Sequence, residues 1–212
     1  KINYSGKSGW VKSEFIGDEK EISQKGRPSF YAKMDLTPQK KVGTGYDTNP
    51  RVKVKGIYLT IYSASGKKLD QLIEMTKRTE INAFVIDVKD DNGYMLFNTK
   101  AAEKYAPKAN KVNYIKDIKA FTKKLKDNNI YAIARIVTFK DPLYTAQHPE
   151  RAILNKATGQ PYTNADNLRW ASAYDRELWA YDVAVAKEAA EAGFNEIQFD
   201  YVRFPASNGG KL

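Results

Sequence analysis

The stretch EIQFDYVRFP, residues 196–205, predicts a buried β-strand that ends in a turn. Along the strand, Gln198 and Asp200 alternate with Ile197 and Phe199, so the polar pair shares one face. In parallel α/β proteins, active sites assemble at the carboxyl ends of the strands. Asp200, near the end of this strand, is therefore the first candidate for a catalytic carboxylate.

Strands and helices alternate through the region before this stretch. Strands are predicted at 52–62 (VKVKGIYLTIY), 83–89 (AFVIDVK) and 130–139 (IYAIARIVTF), and helices near 69–79, at 113–127 and at about 176–192. Asp175 is a suitable N-cap for the last helix, and Gly193 is the expected stop. Nearly continuous apolar strands alternating with helices predict a parallel sheet covered by helices.

Loop lengths indicate which edge of this sheet is functional. The segments that leave the second and third strands have about 24 and 36 residues, well beyond the usual few. The turns from helix into strand are minimal. Long loops at the carboxyl ends alone predict an active face on a rigid base. No glycine-rich phosphate-binding motif follows any strand, so nothing supports nucleotide binding.

Charged side chains are predicted to point inward near the ends of these strands. Alternation sends Asp87 and Lys89 of the second strand, Arg135 of the third and Asp200 of the fourth to the inner face. Buried charges need partners or a solvated pocket. Two interpretations stay open: a closed ion-pair network, such as Asp87 with Arg135, or a functional pocket. The position of Asp200 nearer the mouth favours the pocket.

Composition excludes several kinds of site. The chain has no cysteine, which excludes disulfides and cysteine-ligated zinc. Its one histidine, His148, lies in a predicted loop, which disfavours a His-rich metal site or a Ser-His-Asp triad. We expect no metal and no cofactor. No apolar run approaches the length of a membrane span. The net charge of +10 suits nucleic acid or an anionic cell wall, but lysines interleaved with acids favour a solvated surface.

The first 17 residues, KINYSGKSGWVKSEFIG, predict a β-hairpin. They resemble the last strands of bacterial SH3-like wall-targeting domains, although any amphipathic hairpin fits the pattern. We therefore predict the end of an SH3-like β domain at 1–17, a proline-punctuated linker at 18–51 and the α/β domain at 52–212. Any export signal is expected upstream of this sequence.

Three stretches resemble a known family: GIYLTIYSA, FVIDVKDDNGYM and YDVAVAKEAAEAGFNEIQFDYVRFP. They are similar to the bacterial "putative glycosyl hydrolase domain" family, long classed as a domain of unknown function. The resemblance implies a (β/α)8 TIM barrel related to α-amylase-type glycosidases. Roughly its first four β/α units are expected here. It also implies that Asp200 is the nucleophile and that its partner acid comes from strand five or beyond.

Glycoside chemistry requires two carboxyl groups, one ionised and one protonated, on either side of the scissile bond. Asp200 suits the ionised role if Arg203, Arg135 or Lys89 lies nearby. Asp90 and Asp91 are candidates for sugar-hydroxyl binding or for the second acid. Trp170, in the long third loop, is the best stacking platform for a sugar ring, whereas Tyr201 is expected to pack against a helix. The predicted substrate-binding residues are Tyr58, Asp87, Lys89, Asp90, Arg135, Trp170 and Arg203.

The function predicted from these features is hydrolysis of a polysaccharide by an extracellular or cell-wall-associated bacterial protein. The alternative, from a different class, is a non-catalytic carbohydrate or cell-wall binding protein that keeps the barrel. A nucleic-acid binder is a third interpretation and predicts affinity that falls steeply with salt. We expect a glycan partner and no nucleic acid, and the sequence does not determine the oligomeric state.

Overall fold

The chain divides into two units, Lys1–Arg51 and Val52–Leu212. A computed structural model describes residues 2–4, 7–9, 45–46 and 48–206. In the first unit, β1 (Ile2–Tyr4) pairs antiparallel with β2 (Lys7–Gly9), and β3 (Gly45–Tyr46) pairs with β4 (Asn49–Pro50). The first pair agrees with the expected hairpin. Most of 1–51 lies outside the described residues, so the SH3-like domain and the linker stay predictions.

A four-stranded parallel sheet forms the centre of the second unit. Its strands follow chain order: β5 (Gly56–Leu59), β6 (Ala83–Lys89), β7 (Tyr131–Val137) and β8 (Glu196–Asp200). Each pair of neighbours is parallel, and each connection contains helix. This order confirms the predicted fold class, an α/β domain with four consecutive units of the (β/α)8 type.

Within residues 48–206, six α-helices cover the sheet and its loops: α1 (Ile61–Ser65), α2 (Lys68–Thr76), α3 (Lys100–Tyr105), α4 (Ile118–Asp127), α5 (Pro142–Gln147) and α6 (Arg176–Ala192). Short 3₁₀ turns at Pro107–Asn110 and Pro149–Arg151 complete the long loops. Residues such as Phe121 of α4 and Leu178 of α6 join Phe84 and Ile136 of the sheet in one buried core. No helix in the described part of the chain has the length and apolar character needed to cross a membrane.

Two predicted elements are shorter than expected because a side-chain cap ends the strand earlier or starts the helix later. The first strand ends at Leu59, since the Thr60 side chain accepts a hydrogen bond from the Ser63 amide and begins α1. Helix α4 begins at Ile118, where Asp117 is the N-cap. By contrast, the predicted N-cap of α6 is confirmed, because the Asp175 side chain accepts a hydrogen bond from the Glu177 amide.

A one-residue bulge interrupts the pairing of β6 with β7. Asp87 lies opposite Arg135, but the next pair is Lys89 with Ile136, so Val88 is the extra residue. Bulges re-aim the side chains that follow them. Lys89 therefore faces the same side as Ile136, which is the helix-covered side. The prediction that Lys89 points inward with Asp87 is wrong for this reason.

Gly193, the residue that ends α6, leads to a prediction about stability. Gly193 has a φ of +105°, and a Cβ there would lie 2.9 Å from Oγ1 of the buried Thr122. Gly193→Ala should lower the free energy of unfolding by about 2 kcal/mol or more, since it adds both backbone strain and a clash. Urea unfolding monitored by circular dichroism measures the change.

Gly159→Ala is the matched control. Gly159 also has a positive φ, +67°, but nothing lies within 4 Å of a Cβ there. It should cost about 1 kcal/mol from backbone strain alone. Equal losses in the two variants would contradict the proposed contact with Thr122.

Candidate active site

The Arg135 guanidinium binds three carboxylates at the carboxyl end of the sheet. Its Nη1 lies 2.6 Å from Asp87 Oδ1, its Nη2 lies 3.1 Å from Asp91 Oδ1 and its Nε lies 2.8 Å from Asp200 Oδ2. Parallel pairing explains the arrangement, since Arg135 is in register with Asp87 of β6 while Val137 is in register with Asp200 of β8. The expected inward direction of these three strand residues is confirmed. We call Arg135, Asp87, Asp91 and Asp200 the arginine cluster.

Asp87 is the buried member of the arginine cluster. One carboxylate oxygen accepts from Arg135 and the other from the Tyr58 hydroxyl. Burial raises the pKa of Asp87, although the hydrogen bonds from Tyr58 and Arg135 oppose the shift. The ring of Tyr58 also lies under Arg135, 5.4 Å from the guanidinium carbon. Asp87 and Tyr58 therefore hold the Arg135 guanidinium in place. The ion pair between Asp87 and Arg135 is the one that the ion-pair interpretation predicted.

Asp91 is held by a second cation, Lys140. The Lys140 ammonium lies 2.8 Å from Asp91 Oδ2, and the Tyr201 hydroxyl donates to the same oxygen over 3.3 Å. Burial alone raises the pKa of Asp91, but hydrogen bonds and charge from Lys140 and Arg135 outweigh it and lower the pKa. Asp91 is thus stabilised as an anion and is unsuited to hold a proton.

Asp90 shapes the turn that presents Asp91. Its Oδ1 accepts hydrogen bonds from the Asn92 amide at 2.9 Å and from the Tyr94 amide at 2.8 Å. Its side chain is buried, and burial raises the pKa of Asp90 against these hydrogen bonds. Asp90 is therefore a buried residue that shapes the turn, and it is not an exposed carboxylate of the active face.

Asp200 is the most accessible carboxylate of the arginine cluster, with 41% of its side chain exposed. Its two oxygens are both oriented: Oδ2 by Arg135, and Oδ1 by the backbone amide of Tyr201 at 2.6 Å. The strand is fixed at the same residue, because the Thr138 amide and hydroxyl both donate to the Asp200 carbonyl oxygen. Asp200 therefore presents an oriented carboxylate to solvent at the carboxyl end of β8.

A left-handed residue follows Asp200 and turns the chain. Tyr201 has a φ of +54°, a conformation that costs a bulky residue about 1–3 kcal/mol. Its ring lies 4.8 Å from the Lys140 ammonium and packs edge-on against Trp170 at 5.5 Å. The expectation that the ring of Tyr201 would follow strand alternation onto a helix is wrong, because the turn directs it onto the active face.

Trp170 lies beneath this turn. Only 2% of it is exposed, and the Arg203 guanidinium lies 5.0 Å from its ring centroid. Its indole N–H has no hydrogen-bond partner among the described residues. Trp170 is therefore not an open sugar platform in this conformation. It supports Tyr201 and Arg203, and these two residues lie at the surface of the active face instead.

Lys89 occupies a separate buried ion cluster under α6. Its ammonium lies 2.6 Å from Asp182 Oδ1 and 3.0 Å from Asp141 Oδ2, and its side chain is fully buried. The second oxygen of Asp182 has no partner among the described residues. The structure thus separates Lys89 from the arginine cluster and gives it the role of joining β6 to α5 and α6.

Sequence reasoning missed Lys140 and the partners of Lys89. Lys140 follows β7 closely, so the rule that singled out the ends of strands was sufficient to find it. Asp182 lies in the middle of α6 between Leu178 and Val185 on the buried side of the helix, so the spacing of these apolar residues was a signal that could have singled it out. No group of three or more metal-ligating side chains is placed to hold an ion in the parts of the chain that the structure describes.

The family follows from a comparison with known domains. Residues 56–211 match a family described as "Putative glycosyl hydrolase domain". The match spans most of the chain and includes every residue of both ion clusters. The chain belongs to this family, and a general glycosidase-like role is supported.

The chain is also similar to several solved structures. A hypothetical protein from Ruminiclostridium thermocellum ATCC 27405 is 37% identical, with a TM-score of 0.63 over 74% of this chain and 84% of that one. A maltogenic α-amylase from Thermotoga neapolitana is 16% identical, with a TM-score of 0.46 over 71% and 39%. An α-galactosidase from Lactobacillus brevis is 15% identical, with a TM-score of 0.46 over 68% and 20%. This chain covers less than half of either enzyme, and these two likenesses support no argument about its substrate. No curated protein matches it.

The buried ion cluster predicts a pH dependence of stability. Burial raises the pKa of Asp182 to about 6 from an ordinary 3.8, and the charge of Lys89 only partly offsets this. Between these two values the folded protein binds more protons than the unfolded chain. The contribution of Asp182 to the free energy of unfolding should therefore fall as pH rises from 4 to 6.

Asp182→Asn removes this titration and serves as the reference. Urea unfolding of both proteins at several pH values gives the free energy of unfolding of the native protein minus that of the variant. This difference should decrease from pH 4 to pH 6 and level off above pH 7. A difference that is flat or that rises over this range would contradict the assigned environment of Asp182.

Proposed function

We propose that this domain hydrolyses glycosidic bonds of a polysaccharide and that Asp200 is its catalytic carboxylate. The observation that supports the proposal is the environment of Asp200: it is exposed, it ends a barrel strand, and both of its oxygens are oriented. Retaining glycosidases use such a carboxylate as a nucleophile, and inverting ones use it as a base that activates water.

In this proposal Arg135 is the positioning residue of Asp200. Its guanidinium fixes the carboxylate through Nε while Asp87 and Asp91 occupy the other two donor groups. A planar guanidinium imposes direction on each bond, which an ammonium does not. Arg135 thereby keeps one lone-pair direction of Asp200 free for the anomeric carbon or a water.

Asp91 is assigned to sugar-hydroxyl binding. It is partly exposed, and its lowered pKa disfavours proton donation at neutral pH. Asp87 is buried with both oxygens occupied, so it does not reach substrate. We therefore assign the proton donor of the pair to an acid other than Asp87 and Asp91.

Asp200→Asn tests the assignment. The variant should lose hydrolysis on the order of 10³-fold or more while keeping affinity for the polysaccharide, because the amide preserves shape but supplies no nucleophile or base. Reducing-end release across a panel of polysaccharides measures hydrolysis, and affinity electrophoresis measures binding.

Asp127→Asn, in the exposed last turn of α4, is the matched control and should keep wild-type activity. Hydrolysis that persists in Asp200→Asn would overturn the role of Asp200. Binding by a wild-type protein that hydrolyses nothing on the panel would favour the second candidate, a non-catalytic glycan-binding protein.

We also propose that the domain works outside the cell, at the cell wall. The net charge of +10 and the resemblance of residues 1–17 to wall-targeting domains support this location. The protein should sediment with purified bacterial sacculi, and this co-sedimentation should weaken with salt because wall polymers are anionic. Failure to sediment with sacculi at low salt would contradict the proposed location.

A further inference from the structure

Arg203 is an exposed arginine beside the candidate catalytic carboxylate. Its guanidinium carbon lies 5.0 Å from the ring centroid of Trp170 and 5.0 Å from that of Tyr201. Its Nη1 donates to the Phe204 carbonyl oxygen at 3.0 Å. Within residues 48–206, which the structure describes without a gap, no carboxylate lies at ion-pair distance from it. Two rings thus orient a guanidinium whose other donors face no protein acid.

Two other arginines in the loops and strands of this domain, Arg135 and Arg151, are paired with acids. Arg135 binds the three acids of the arginine cluster, and Arg151 binds Asp175 at 2.9 Å and Glu177 at 3.1 Å. Arginine stacked on aromatic rings has lost much of its side-chain freedom before binding, so it forms paired hydrogen bonds to an oxyanion at low entropic cost. Arg203 is oriented by aromatic rings in this way, but no carboxylate among residues 48–206 is paired with it.

The left-handed turn places Arg203 and Asp200 together. The Tyr201 amide donates a hydrogen bond to Asp200, and the Tyr201 ring packs against the Arg203 guanidinium. A strained backbone persists only where surrounding contacts overdetermine it, and such residues cluster at functional sites. One strained residue thus orients both the carboxylate and the neighbouring guanidinium.

Charge shows why an anionic ligand at this face would require Arg203. The three acids Asp87, Asp91 and Asp200 face the two cations Arg135 and Lys140, which leaves a net charge of −1. A neutral sugar needs no further cation there. An anionic sugar would be repelled by this net charge unless another cation offset it, and Arg203 supplies that cation at the exposed edge.

We propose that the site takes an acidic glycan and that Arg203 binds the oxyanion of a sugar unit next to Asp200. The shared chemistry is an oxyanion that accepts two hydrogen bonds from a guanidinium, either the carboxylate of a uronic acid or a phosphate ester. This inference rests on the proposed function for the location of the site, but its test requires only binding.

Three methyl glycosides that differ only at C6 provide the probes: methyl glucoside, methyl glucuronoside and methyl glucoside 6-phosphate. Titration into the ¹⁵N-labelled full chain is followed at the indole N–H signal of Trp170, which lies under Arg203. An anionic probe should bind about tenfold or more tightly than methyl glucoside, in line with a charge-assisted hydrogen bond. The preference should decrease with added salt.

Arg203→Gln should abolish this preference. Arg78→Gln is the matched control, because it removes the same charge from an exposed residue just after α2, at the opposite edge of the sheet. It should leave the preference unchanged. Arg203→Lys should retain only part of it, since an ammonium lacks the planar fork. Circular dichroism verifies that each variant is folded.

A response to the glucuronoside assigns a uronic acid, and a response to methyl glucoside 6-phosphate alone assigns a phosphorylated sugar. Equal binding of neutral and anionic probes, or a preference unchanged in Arg203→Gln and Arg203→Lys, would overturn the inference. Hydrolysis of neutral polysaccharides that requires Asp200, without any anion preference, would overturn it and leave the proposed function intact.

Discussion

The geometry of the active face depends on the ion pairs of the Arg135 guanidinium. The guanidinium binds carboxylates from β6, from the loop after β6 and from β8, so one side chain of β7 joins three segments of the sheet. Breaking a buried ion pair from one side costs about 3–5 kcal/mol, since the remaining charge is left without a partner. The same cation that stabilises the sheet edge therefore also orients Asp200.

The three acids that bind Arg135 differ in burial and in neighbouring charge, and they therefore have different roles. Asp87 is buried and anchors Arg135, while Asp91 is held as an anion by Arg135 and Lys140. Asp200 is bound to the guanidinium by one oxygen and remains the most exposed of the three. Separating carboxyl groups by burial and by neighbouring charge is how one site supports different chemical tasks.

Strand periodicity was sufficient to predict much of this arrangement. Alternation correctly directed Asp87, Arg135 and Asp200 inward, because those strands are regular up to these residues. It failed for Lys89 and Tyr201, where a bulge and a left-handed residue change the direction of the chain. The burial of Trp170 depends on a long loop folding back onto the sheet, and such packing has no local sequence signal.

The most direct measurement is carboxyl footprinting with a carbodiimide and an amine, read by mass spectrometry with and without bound polysaccharide. We predict that Asp200 is modified in the free protein and is protected by the glycan. Asp87 should stay unmodified in both states. Modification of Asp87, or an Asp200 that is unreactive or unprotected by the glycan, would contradict an Asp200 that opens onto a sugar-binding face.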